Sequence, residues 1–158
     1  MTVAEWDEIL ETNLRSFFIA SKAVYPTMVR QGGGKIIGIG SLTSLMGIRG
    51  GAAYGASKGG VVQVARSLAV GWARDNIQVN CILPGWVRTD MTERSRMNKA
   101  GFVSGVEDRT PAGRWGEPFD YAGPAVFLAS HASDFVTGAA LVVDGGYSVQ
   151  CLWASLPV

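Results

Sequence analysis

Along the first thirty positions apolar residues return at steps of three and four: Trp6, Ile9, Leu10, Leu14, Phe17, Phe18 and Val24, with Asn13 and Ser21 on the same stripe. That spacing predicts one amphipathic helix running to about Met28. Thr2-x-x-Glu5 ahead of it is a capping box, and Gln31-Gly32-Gly33-Gly34 stops it. Lys35-Ile36-Ile37-Gly38-Ile39-Gly40 is a short apolar run that reads as a buried strand. After a Gly- and Ser-rich loop from Ser41 to Gly51, Val61, Val64, Ala65, Leu68, Ala69 and Trp72 mark one face of a second helix, from about Ala52 to Asp75. Ile77 to Leu83 is the next strand, closed by Pro84-Gly85.

Residues 86–115 are polar and contain Pro111, a long excursion in which a short helix is expected around Thr92 to Lys99. Excursions of that length in compact domains are usually lids or binding loops. A third amphipathic helix fits Pro118 to Ala129, and Ala139 to Val143 is a third strand ending at Asp144-Gly145-Gly146. Helices alternating with apolar strands predict an α/β domain with a parallel sheet. The domain is expected over residues 1–150, followed by an apolar tail, 151–158, without clear period.

Composition narrows the class. With 158 residues, 47% hydrophobic and only 17% charged, the chain fits one globular domain and argues against disorder. A net charge of +1 with scattered signs gives no footprint for nucleic acid. No apolar run has the length to span a bilayer, and the acidic start lacks a signal-peptide pattern. Cys81 and Cys151 are two unrelated thiols and His131 is the single histidine, which argues against a disulfide framework and against a zinc site. The expected setting is the cytoplasm.

The stretch Ala52-Ala53-Tyr54-Gly55-Ala56-Ser57-Lys58-Gly59-Gly60 carries two chemistries at once. Gly55-x-Ser57-x-Gly59 has the spacing of a hydrolase nucleophile elbow, and Ser57, Asp120 and His131 occur in that fold's triad order. An elbow needs a strand directly before its serine, and Gly50 to Gly55 do not form one. Tyr54-x-x-x-Lys58 puts a phenol and an ammonium one helical turn apart. An isolated pair of this kind is commonly a surface contact. A nearby ammonium nevertheless stabilises a phenolate by Coulomb attraction, which fits a phenol for proton exchange with an alcohol or carbonyl oxygen.

Ser41 after the first strand, Tyr54-x-x-x-Lys58 opening the next helix, Pro84-Gly85-x-x-x-Thr89 after the second strand and Asn13 in Glu11-Thr12-Asn13-Leu14 together resemble the short-chain dehydrogenase/reductase family. The motifs stand in the family's order across residues 1–150. The resemblance implies a Rossmann-like three-layer fold and hydride exchange between NAD or NADP and a secondary alcohol or ketone. It implies that Tyr54 is the general acid/base, that Lys58 tunes it and binds the nicotinamide ribose, and that Ser41 holds the substrate oxygen. Asn13 would bend its helix and anchor a water leading from Lys58 to solvent. Pro84, Gly85, Val87 and Thr89 would line the nicotinamide, with residues 91–114 as substrate lid. A small-molecule partner and a homo-oligomer, dimer or tetramer, are implied as well.

Two departures stand out. Gly38 occupies a position where many members carry Asn, expected to be a small change. No Gly-x-Gly-x-x-Gly turn for the pyrophosphate occurs anywhere in the sequence. The chain therefore resembles the C-terminal part of a member, a Rossmann fold truncated at its N-terminus, with Lys35 to Gly40 expected as an exposed sheet edge. The Pro111 to Gly116 stretch is similar to sugar-acid dehydrogenases and to 3-oxoacyl reductases. A catalytically silent fragment acting as an oligomerisation partner is the non-enzyme alternative.

Overall fold

The computed structural model describes residues 1–93 and 101–150. The expected helix at Thr92 to Lys99 falls mostly outside them, as does the tail. Helix α1 spans Val3–Leu10, and its Thr2 capping box forms as the sequence predicts: Glu5 N–H donates to Thr2 Oγ1 at 3.2 Å, and Thr2 N–H to Glu5 Oε2 at 2.6 Å. The helix does not run straight on. Glu11–Arg15 form one π-helical turn before α2, Ser16–Arg30, which continues through Pro26.

Strand β1, Gly34–Ile39, leads by way of a 3-10 turn at Leu42–Ser44 to helix α3, Ala52–Trp72. A further 3-10 turn, Ala73–Asp75, ends on Asn76 in the left-handed region, φ 56°, and opens strand β2, Ile77–Pro84. Helix α4, Phe102–Arg109, lies inside the excursion that the sequence reading took as polar loop. The predicted helix from Pro118 is two pieces, a 3-10 turn at Pro118–Tyr121 and helix α5, Ala122–Ala129. Strand β3 is Ala140–Val143.

The three described strands pair in parallel, in the order β1-β2-β3, with Gly34 beside Ile77 and Cys81 beside Ala140. β2 is central and buried along nearly its whole length, as a strand covered on both faces must be. Ile77, Val79, Cys81 and Leu83 join Ile36 and the α3 residues Val61, Val62, Ala65 and Ala69 in one core, closed by Leu14, Phe17, Tyr25 and Met28 from the first helices. Side chains alternate along a strand, so Gln78, Asn80 and Ile82 face the other way, toward the layer containing α5. There the fully buried Asn80 amide donates to Val136 O at 2.8 Å and accepts from Ala139 N–H at 3.0 Å. Helices thus cover both faces of a parallel sheet, the predicted three-layer α/β arrangement.

Phe18 and Val24, expected on the buried stripe, are exposed, because the packed face narrows to Leu14, Phe17, Ser21, Tyr25 and Met28. At Gly38, a Cβ would sit 3.0 Å from Cys81 Sγ and 3.0 Å from the Phe17 ring. Those side chains occupy the room a larger residue would need. Among the described residues no helix is long and apolar enough to cross a membrane.

Candidate active site

The site forms where β1 and β2 deliver the chain to their C-terminal ends, the usual place for a ligand in a parallel sheet. Gly40 N–H extends the ladder by donating to Ile82 O at 2.9 Å, and the chain then turns at Ser41. Ser41 is extended, φ −163°, and caps the Leu42–Ser44 turn reciprocally: its hydroxyl accepts from Thr43 N–H at 3.2 Å, while its own N–H donates to Ser44 Oγ at 3.2 Å. Ser44 Oγ in turn donates to Lys58 O at 2.8 Å, fastening this turn to α3.

Tyr54 stands in the first turn of α3, and Lys58 one turn further on. Lys58 Nζ lies 5.8 Å from the centre of the Tyr54 ring and donates to Ile39 O at 3.0 Å. Burial pulls the lysine below its ordinary value, opposed by the nearby Cys81 thiol. The ammonium is thus held at the end of β1, behind the phenol.

Asn13 reaches the same helix by an unexpected route. The π turn carries its side chain toward α3, where Nδ2 donates to Ser57 Oγ at 3.1 Å, and Ser57 Oγ donates to Tyr54 O at 2.8 Å. This hydroxyl is fully buried with both roles taken, so it is a clamp between helices and no nucleophile. Asp120 is held by Arg114, and His131 is a surface side chain beside Asp134. The hydrolase constellation is not assembled.

A cavity of about 480 Å³ opens in front of Ser41 and Tyr54. Of the residues singled out in the sequence, Ser41, Tyr54 and Gly85 line it, whereas Asn13, Lys58, Pro84, Val87 and Thr89 stand outside its wall. The loop from Leu42 to Gly51 forms much of the remaining wall, and Trp86, Met91, Thr92, Arg109 and Tyr147, which sequence spacing did not bring together, complete it. Trp86 packs edge-on against Phe102 at 5.3 Å and lies 5.7 Å from the Trp115 ring, so α4 supports this side of the cavity.

The segment after β2 is tightly fixed. Gly85 N–H donates to Val143 O at 3.1 Å, and a Cβ there would come within 2.8 Å of the Asp144 backbone, so only glycine lets the two strand ends lie this close. Val87 makes a parallel bridge to Gly116. Its carbonyl accepts from Thr92 Oγ1 at 2.7 Å, and Thr89 N–H donates to the same hydroxyl at 3.1 Å. Of these two threonines Thr92, and not Thr89, stands in the cavity wall.

A family model described as enoyl-(acyl carrier protein) reductase matches residues 1–148. The chain belongs to the short-chain dehydrogenase/reductase family. It is 45% identical over 144 residues to the 2-dehydro-3-deoxy-D-gluconate 5-dehydrogenase of Escherichia coli, covering 90% of this chain and 56% of that relative. It is 41% identical over 146 residues to the gluconate 5-dehydrogenase of Gluconobacter oxydans, covering 92% of this chain and 57% of that one. Among solved structures, a gluconate 5-dehydrogenase from Burkholderia cenocepacia in complex with NADP and tartrate superposes with a TM-score of 0.92 at 38% identity, over 96% of this chain and 59% of that one. This short-chain dehydrogenase/reductase chain therefore spans a little over half the length of the relatives it matches.

Proposed function

We propose that the protein is an NAD(P)-dependent oxidoreductase that interconverts a secondary alcohol and a ketone on a sugar acid. The observation that carries this reading is the meeting of Ser41 and Tyr54 on one cavity wall, with Lys58 one turn behind Tyr54. The names of the gluconate-type relatives favour a sugar acid over the 3-oxoacyl class that the sequence left open.

The residues present fit the nicotinamide side of such a cofactor. The cavity offers the hydroxyls of Ser41, Tyr54 and Thr92, and the Trp86 indole N–H in its wall is buried without a partner. Tyr54, Lys58, Pro84, Gly85, Val87 and Thr89 are the residues that would hold the group, NAD or NADP, Tyr54 and Gly85 from the cavity wall and the other four from beside it. When bound, it supplies or accepts the hydride.

Tyr54 gives its phenolic proton to the carbonyl oxygen in reduction and takes it back in oxidation. Ser41, fixed by its reciprocal cap, holds that oxygen and stabilises the charge developing on it. Lys58 keeps a positive charge behind the phenol and favours its anion. Asn13 acts through Ser57 to hold the first turn of α3, and with it the Tyr54 backbone. A homo-oligomer, a cytoplasmic setting and residues 1–150 as the C-terminal part of a single Rossmann domain complete the proposal.

The test is turnover of the purified chain with NADH or NADPH and a panel of keto sugar acids. Activity that falls by about 10²-fold or more in Tyr54→Phe supports the reading. Turnover that is unaffected by Tyr54→Phe overturns it. Absence of turnover with intact self-association in sedimentation supports the alternative, a silent oligomerisation partner.

A further inference from the structure

Two arginines, Arg109 and Arg49, line the cavity, and no aspartate or glutamate does. Arg15, Arg88 and Arg114 each have an acidic partner, yet neither cavity arginine has one among the described residues. Arg109 is the last residue of α4, and its Cζ lies 4.5 Å from the centre of the Tyr147 ring. A ring over a guanidinium fixes its plane and leaves the donors at its edge for a ligand. The Arg109 Nε is buried and unpartnered. A cation at a helix C-terminus is favourable in itself, but that explains neither the buried donor nor the place in the cavity wall. A buried N–H without an acceptor costs free energy until one arrives.

We propose that Arg109 is the substrate-carboxylate anchor of this cavity, with Arg49 on the loop before α3 adding positive charge at the same wall. Resting on the sugar-acid reading above, this assigns the end of the substrate remote from the reacting carbon. A carboxylate presents two oxygens in a plane, the geometry that a guanidinium matches with paired charge-assisted hydrogen bonds. The reacting hydroxyl or carbonyl then faces Ser41 and Tyr54 while the acid end is held by the arginine. A neutral polyol of the same length lacks the group that Arg109 pairs with, so the site discriminates by charge as well as by shape.

The test compares binding of D-gluconate with that of glucitol, its neutral counterpart, to the full chain by calorimetry or ligand-observed NMR. The expected result is a preference for gluconate of about tenfold or more, shrinking as salt is added. Arg109→Met abolishes the preference and Arg109→Lys, which keeps a charge without the fork, retains part of it. Circular dichroism verifies the fold, and Arg109→Gln replaces the methionine variant if that one does not fold. A preference that survives both neutral substitutions overturns the Arg109 assignment and leaves the sugar-acid reading standing. A wild-type chain that binds gluconate no better than glucitol overturns the sugar-acid reading together with it.

Discussion

Asn13 and Ser57 lie 44 residues apart in the chain and share a hydrogen bond of 3.1 Å that ties the π turn of the first helices to the helix carrying Tyr54 and Lys58. The same Ser57 hydroxyl donates to the Tyr54 carbonyl. Ser57→Ala leaves the Asn13 amide and that carbonyl short of a partner. A loss of about 1–2 kcal/mol is expected, read as a lower midpoint in urea unfolding. An unchanged midpoint would show that the clamp carries no net stability.

Arg114 grips Asp120 through two nitrogens at 2.7 and 2.8 Å, and Glu117 N–H adds a third bond at 2.7 Å. These bonds, the Arg114 contact foremost, hold the carboxyl at about 2, below its ordinary 3.8. The native state therefore binds this proton later than the unfolded state does. The stabilisation is complete above 3.8 and is lost as pH falls from there through about 2. Asp120→Asn removes it, so the gap in unfolding midpoint between wild type and variant is expected to be constant near neutrality and to close across that window. A gap that does not change with acid would sink the prediction.

Burial pushes the Cys81 thiol up to about 11, and its side chain is fully enclosed by the core. In a Cys151→Ser background the native protein is expected to react with an aromatic disulfide reagent at about pH 8 only as fast as it unfolds, since the thiolate is the reactive form. Denaturant should release one thiol at once. Rapid labelling without denaturant would contradict the placement of Cys81.

Two glycines are expected to respond in opposite directions to alanine. At Gly85 a Cβ would meet the Asp144 backbone at 2.8 Å, whereas at Gly59, inside α3, nothing lies within 4 Å. Gly85→Ala should destabilise by about 1–3 kcal/mol through forced displacement of a strand end. Gly59→Ala should stabilise by roughly 0.5–1 kcal/mol through helix propensity. Thermal midpoints measured in parallel decide both, and a gain at Gly85 or a loss at Gly59 would count against the packing described.

The strongly periodic parts of the chain are legible in the sequence. The capping box, the three described strands and α3 stand within a few residues of where the pattern puts them, because one face of each is buried by simple layering. Helix α4 was not legible: it has three apolar residues, Phe102, Val103 and Val106, of which only Val106 is buried, and three positions at one end of an eight-residue helix are too few to set a period. The π turn was foreshadowed only through the family resemblance, which implied a bend at Asn13. Its backbone bonding leaves no side-chain signature. By spacing alone Ser57 offered only a nucleophile that lacked its strand, since its actual role depends on a partner, Asn13, brought in from another helix. The cavity wall of Trp86, Arg109 and Tyr147 is assembled from three separated segments, and sequence spacing cannot report that kind of meeting.

The π turn at Glu11–Arg15 also bears on how this region tolerates change in length. It holds one residue more than a regular turn, so the sequence period of the packed face slips by one residue, about 100° of regular helix, while the helices before and after it share a course. A one-residue deletion within it would restore regular winding and leave both the residues ahead of it and Phe17, Ser21 and Tyr25 in their seats. The position best able to absorb an insertion or a deletion thus adjoins the one least able to lose its side chain, and Asn13 sits on that boundary.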